Sequence, residues 1–343
     1  MMNSTITQIK AGRNVRRRKW LVVNVSLTIS ALLLSCAMLL LGNTIYPVGE
    51  VVRTLMGETV GGVSFAVNTI RLPRMVAGLF AGIAFGIAGN TFQTMLRNPL
   101  ANPDVLGITA GSSVAALIGI LVLQTSQSTV SIMSVLAGLA TCALIYLFAK
   151  GKSFSVGRLI LVGIGIQAML TSMISYLLLI GTQEDLPTAL RWMSGSLNGA
   201  QLDALFPLIL TVLVCAPIVI VFGRHLNLLE LGEQSATSLG LQTDKVRLVL
   251  ILSSVAMLAI ATASTGPIAF VAFLSGPIAK RLVGVGFSNV IPAGLVGANL
   301  VLAADLVGQF AFETRFPVGV ITGMLGAPFL LYLLIRMNRK GSL

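Results

Sequence analysis

The sequence predicts an all-α polytopic membrane protein with about ten transmembrane helices arranged as two inverted five-helix halves. Three observations predict it. Hydrophobic residues make up 55% of the 343 positions and charged residues only 10%, against the ~25% charged of soluble domains. From Trp20 onward, apolar runs recur at about the twenty-residue length that a helix needs to span a bilayer. The Lys and Arg residues gather at the ends of those runs, mostly in alternate connections, as the positive-inside bias requires.

Taken in order, residues 1–19 form a polar N-terminus carrying Lys10, Arg13, Arg16, Arg17, Arg18 and Lys19. The run from Trp20 to Leu41 is too long for the 7–15-residue core of a signal peptide, so it reads as an uncleaved first helix. Further helices are predicted near 70–95, 107–123, 130–149, 158–181, 203–222, 246–264, 267–278, 290–309 and 317–336. They make 20–336 one transmembrane domain, with 337–343 as a tail. The run at 267–278 is short enough to cross only part of the bilayer. Ten spans put both termini on one side, and all but Arg53, Arg71, Arg74, Arg191 and Arg315 of the 23 Lys and Arg fall there. That side is expected to be cytoplasmic, in a plasma or inner membrane.

Gly78, Gly82 and Gly86 stand four apart in the second span, which keeps them on one helix face. Such a face admits close approach of a neighbouring helix. Asn98-Pro99-Leu100-Ala101-Asn102-Pro103 then breaks the helix, because two prolines remove donors and restrict the residues before them. Irregular backbone in a membrane must be enclosed by protein or line a water-filled cavity. A second interruption lies at Gly266–Pro277, in the other half. Paired interruptions of this kind line transport paths in inverted-repeat proteins.

Catalysis has little support. His225 is the one histidine, and Cys36, Cys142 and Cys215 sit in apolar runs, where they read as small buried hydrophobes. Nucleic acid is excluded as a partner despite the net charge of +12, since the basic residues are not interleaved with aromatics. The nearest approach to a phosphate-binding loop is Gly151-Lys152-Ser153, with Tyr146 where its first glycine should be. Active transport would therefore need an ATPase on another chain. Asp305 is a carboxylate inside an apolar run. It is either a functional acid or a structural one hydrogen-bonded to a neighbouring helix. The longest polar interval on the cytoplasmic side is 223–247, where Glu233 to Leu239 can form a short helix closed by Gly240. It reads as a partner site or as a solvated connector.

Arg71-Leu72-Pro73-Arg74, Gly82, Gly86, Asn98-Pro99-Leu100-Ala101, Pro103, Leu106-Gly107, Gly266-Pro267-Ile268-Ala269-Phe270, Ala304-Asp305 and Pro317-Val318-Gly319-Val320 occur in an order that resembles the permease subunits of type II ABC importers. Those importers take up iron–siderophores, heme and cobalamin. The similarity covers nearly the whole chain after Trp20. It implies a permease that binds no cofactor itself and moves a ferric siderophore or, alternatively, heme or cobalamin. ATP and Mg would be used by an ATPase homodimer docked on the 223–247 coupling loop, with Leu239 and Leu241 as apolar anchors flanking Gly240, and Glu230 and Glu233 as polar contacts. A second permease subunit, identical or paralogous, would complete the path.

By the same resemblance, an extracellular binding protein would present glutamates to Arg71 and Arg74. Some relatives have a third arginine shortly after the Ala-Asp pair; here Gln309 occupies about that place, and Arg315, six residues on, is the further docking candidate. The inner gate would fall at Ser155-Val156-Gly157, Asn98 and Pro99 would border the path, and Glu184 to Trp192 would belong to the outer mouth. The competing class is a secondary transporter driven by an ion gradient, motivated by Asp305 and the broken helices.

Overall fold

A computed structural model describes residues 2–101, 104, 107–149, 156–284 and 286–339. Regular structure among them is helical. The chain runs α1 (Met2–Leu40), α2 (Val48–Leu55), α3 (Leu72–Met95), α4 (Ile108–Leu117), α5 (Gln127–Ala149), α6 (Val156–Ile180), α7 (Leu186–Met193), α8 (Leu202–Val221), α9 (Gly223–Glu230), α10 (Glu233–Ser238), α11 (Thr243–Thr265), α12 (Val271–Val283), α13 (Val290–Phe310) and α14 (Val318–Arg339). Wide π-turns at Phe65–Arg71 and Ile118–Val122 precede α3 and follow α4. Among the described residues, seven helices are long and apolar enough to cross a membrane: α1, α3 with its π-turn, α5, α6, α8, α11 and α13. α4 with its π-turn and α14 are shorter apolar helices, and with the thirteen-residue α12 they correspond to the remaining three of the ten predicted segments.

Two boundaries differ from expectation. The second span begins at Phe65 rather than near 70. The basic N-terminus is not a loose segment but the first half of α1, whose 39 residues make a rod about 58 Å long at ~1.5 Å per residue. Lys and Arg are good helix formers, and no proline interrupts them before Trp20. α1 is pinned where Trp20 Nε1 donates to the Ser288 carbonyl at 3.0 Å. Arg281 on α12 likewise meets Tyr332 on α14. These contacts put the start of α1, the end of α12 and the end of α14 on one face, called here the terminal face; α2, α7 and the start of α3 lie on the far face.

α3 is the hub. It packs most extensively against α13 and also meets α11, α12 and α8. Its glycines explain the closeness. A Cβ on Gly82 would lie 2.6 Å from Ala298 Cα, and one on Gly86 would lie 2.2 Å from the Ala293 carbonyl oxygen, so α3 and α13 touch backbone to backbone. Gly89 does the same against α12, 1.8 Å from the Ala272 carbonyl oxygen. Gly78 faces side chains instead, Leu197 and Leu302. Gln93 Nε2 adds a polar stitch to the Phe273 carbonyl at 2.8 Å.

The two halves repeat their neighbours. α4 lies beside α5 as α12 lies beside α13, and α5 beside α6 as α13 beside α14. α3 meets α12 and α13, while α11 meets α4 and α5. Each half places its short helix after a break, which leaves α3 through residues 98–101 ahead of α4 and runs through 266–270 ahead of α12. The first break follows a helix that ends on the terminal face and the second follows one that ends on the far face, which is the inversion. The first break therefore starts at the helix end, not within the span: Asn98 and Pro99 are exposed. Of the cysteines, Cys142 is buried and Cys215 half-buried. Cys36 is exposed on α1, contrary to the expectation of burial.

Candidate functional site

The second break organises the far face. Gly266 at φ +71° and Phe270 at φ +63° turn the chain from α11 into α12. The loop after α7 wedges against that turn. Ser196 N donates to the Thr265 carbonyl at 2.7 Å, and Gly319 N on α14 donates to the Gly195 carbonyl at 3.1 Å. Side chains are excluded on both sides: a Cβ on Gly195 would sit 2.4 Å from the Pro267 carbonyl oxygen, and one on Gly319 would sit 1.9 Å from that of Ser194. The α7 loop, the break and the start of α14 thus form one backbone-packed unit. Beneath it, a cavity of about 180 Å³ is lined by Asp104 from the first break, Thr109 at the start of α4 and Pro267 to Phe270 from the second break. Thr109 Oγ1 donates to Asp104 Oδ1. The two interruptions, far apart in sequence, face each other. Asp104 was passed over in the sequence because proline and glycine dominate its neighbourhood; a carboxylate inside a predicted break was the available signal.

Asp305 has a partner the sequence did not name. Arg74 grips it in a fork, Nε to Oδ2 and Nη2 to Oδ1, both at 2.8 Å. Gln309 Nε2 donates to Oδ2 at 2.6 Å. Asp305 is 1% exposed and Arg74 12%. Arg74 also donates to Asn198 Oδ1, so the network ties α3, α13 and the loop leading into α8. Removing one member of such a pair strands the other's charge away from water. Asp305 is therefore the structural acid of the two readings, with an ion pair in place of a simple hydrogen bond.

Arg71 is also turned inward. Its guanidinium donates to the carbonyls of Leu39 and Leu40 at 2.9 Å and of Thr44 at 2.7 Å, and lies 4.8 Å from the Tyr46 ring. It caps the end of α1, whose last carbonyls lack helical partners. Within this chain, each arginine of the Arg71–Arg74 pair is already engaged on the far face. Arg315 is exposed there, donating to Asn43 Oδ1. At the start of α7, in the Glu184–Trp192 stretch, Asp185 makes no side-chain cap; it accepts from Gln124 Nε2 at 2.9 Å and Thr182 Oγ1 at 2.8 Å.

On the terminal face, α9 and α10 form the 223–247 interval with the start of α11. α10 ends at Ser238, one residue short of expectation, and Gly240 follows at φ +84°. Leu239 is 64% exposed, but Leu241 is half-buried against the main core, so the two leucines do not form a matched pair of free anchors. Glu230 pairs with Lys280 at the end of α12. The backbone of Glu233 lies in α10. Gly157 is exposed at the start of α6, while Ser155 and the phosphate-loop-like Gly151-Lys152-Ser153 lie outside the described residues. Among the described residues, no group of three or more His, Cys, Asp or Glu could hold a metal ion.

Comparison with known proteins agrees with this architecture. A solved structure described as an inward-facing conformation of a metal-chelate type ABC transporter superposes with a TM-score of 0.82 at 26% identity, covering 92% of this chain and 99% of that one. The ferric enterobactin transport system permease protein FepG of Escherichia coli is 36% identical over 295 residues, 85% of this chain and 88% of that protein. The achromobactin transport system permease protein CbrC of Dickeya dadantii is 36% identical over 293 residues, 84% of each. A family model described as the FecCD transport family matches residues 12–336, and on that match the chain belongs to the FecCD transport family.

Proposed function

We propose that this protein is the membrane-spanning subunit of a type II ABC importer that moves a ferric siderophore, or a similar metal chelate, across the cytoplasmic membrane. The observation that carries the reading is near-full-length similarity to permeases named for ferric enterobactin and achromobactin. Both termini lie in the cytoplasm, which puts the basic half of α1 on the positive side of the bias. ATP and Mg belong to a partner ATPase homodimer, which meets α9 and α10 with exposed Leu239 as the anchor. A second permease subunit covers the outer faces of α6 and α14, where Leu161, Met169, Leu179 and Leu331 are each more than 60% exposed.

The permease performs no bond chemistry; it converts the partner's two states into two states of access. α12 supplies the mechanical link. One end is held to α9 by Lys280–Glu230, and the other starts at the Phe270 turn beneath the α7 loop. A shift of α9 on the ATPase is carried along α12 to the far face. The extracellular binding protein docks on the exposed Arg315, while Arg71 and Arg74 hold the far-face scaffold in shape.

The test is reconstitution. Proteoliposomes holding this chain with its ATPase and supplied with binding protein should accumulate a ferric siderophore only with ATP, and Arg315→Glu should weaken docking. Uptake that survives without the ATPase, or that collapses with an ion gradient while ATP remains, overturns the reading in favour of a secondary transporter. The Asp305 geometry speaks against that alternative, because a carboxylate gripped by an arginine fork is poorly placed to carry protons.

A further inference from the structure

A groove of about 890 Å³ lies under α7, between α5 and α8, with the end of α11 as its floor. None of its lining comes from α6 or α14, so it is separate from the faces assigned to the second permease subunit. Its origin is a departure from the repeat. In the second half, α13 is covered by α1. The equivalent cover for α5 would be α8, but α8 leans on α11 and α3 instead, and the space stays open.

The groove is polarised. Its inner walls are apolar, with Val135 of α5, Leu205 of α8 and Ile260 of α11. Ile132 and Leu136 are 61% and 62% exposed along its sideways opening. Towards the far face the lining turns polar, through Gln124, Thr125, Thr188, Arg191 and Asn198. The acid at that mouth, Asp185, is engaged by Gln124 and Thr182. Arg191 is exposed and makes none of the ion pairs formed among the described residues. A cleft that opens sideways within a membrane, apolar along its walls and carrying at its polar mouth an Arg191 free of ion pairs among the described residues while Asp185 is held by its own neighbours, matches one class of molecule. An acyl chain satisfies the walls, and a phosphate satisfies the guanidinium.

We infer that the groove between α5 and α8 binds an anionic glycerophospholipid of the far-face leaflet, with its phosphate at Arg191 and an acyl chain along α5 and α8. The lipid lies directly beneath α7 and against the α7–α8 loop, so its occupancy bears on how freely that unit moves.

Trp192 lines the groove, and Trp20 lies on the opposite face, which makes the test local. Trp20→Phe leaves Trp192 as the sole tryptophan. The protein is reconstituted in phosphatidylcholine vesicles doped with acyl-brominated phosphatidylglycerol or acyl-brominated phosphatidylcholine, and quenching is measured. Brominated phosphatidylglycerol should bind near Trp192 about fivefold more tightly than the phosphatidylcholine probe, the scale of one basic residue at an anionic headgroup. Arg191→Gln should bring the ratio to about one, and Ala204→Phe, which narrows the groove, should reduce quenching by both probes. Trp192→Phe, which retains Trp20, measures the terminal-face background. Equal quenching by the two probes, a preference unchanged by Arg191→Gln, or a preference seen only at Trp20 would each overturn the assignment.

Discussion

Replacing Asp305 by alanine is expected to destabilise the protein by about 3–5 kcal/mol, the cost of stranding one charge of a buried pair. The structure supports the upper part of that range. Asp305 accepts two hydrogen bonds from Arg74 and one from Gln309, and Arg74, 12% exposed, would keep only Asn198. Arg74→Met should cost a similar amount, because it leaves a carboxylate that is 1% exposed with a single amide donor. The double variant Arg74→Met/Asp305→Ala removes both charges and should lie within about 1–2 kcal/mol of the parent, since apolar replacements of whole buried pairs are often nearly neutral. The coupling energy from this double-mutant cycle is the quantity of interest. Unfolding of the purified protein by SDS in mixed micelles, followed by circular dichroism, measures it. Single variants that each cost under about 1 kcal/mol, or a double variant whose cost is the sum of the singles, would refute the reasoning, because either result means the pair is solvated or unformed.

Gly86→Val should destabilise the bundle by about 1–3 kcal/mol or more, because its Cβ would meet the Ala293 carbonyl oxygen at 2.2 Å, whereas Gly49→Ala meets nothing within 4 Å and should be neutral or mildly stabilising; the same SDS titration compares them. Leu239→Ala should weaken co-purification of the ATPase and leave the unfolding midpoint unchanged, while Leu241→Ala should lower the midpoint. Lys280→Glu should reduce ATP-dependent uptake at nearly unchanged stability, since a pair with side chains 52% and 40% exposed contributes no more than about 1 kcal/mol; adding Glu230→Lys should restore uptake if α12 carries the motion.

The spans were legible because lipid imposes a long apolar run on each helix, and the glycine spacing of α3 marked the face on which α13 lies. The inverted halves were legible only through their interruptions, whose prolines and glycines stand out where side-chain identity does not repeat. Pairings between distant elements were not legible. Arg74 and Asp305 are 231 residues apart, and each alone admits another explanation: an interfacial arginine that reaches for headgroups, or an acid that carries protons. The contacts of Arg71 were hidden for a related reason. Its partners are backbone carbonyls of Leu39, Leu40 and Thr44, which leave no trace in residue identity. The contrast between Leu239 and Leu241 turns on how the chain rotates past Gly240, and a two-residue spacing does not encode that.

The same separation sets a timetable for biogenesis. At a synthesis rate of roughly 5–20 residues per second, Asp305 emerges from the ribosome some ten to fifty seconds after Arg74. Throughout that interval the glycine-lined side of α3 has no α13 to lie against. α3 with its π-turn is also the least apolar of the seven full-length spans, so it is the segment least able to wait alone in lipid. The nascent first half must therefore be sheltered by the insertion machinery, or by α1 and the helices near it, until its counterpart arrives. Premature release would expose a charged, notched helix to the degradation apparatus.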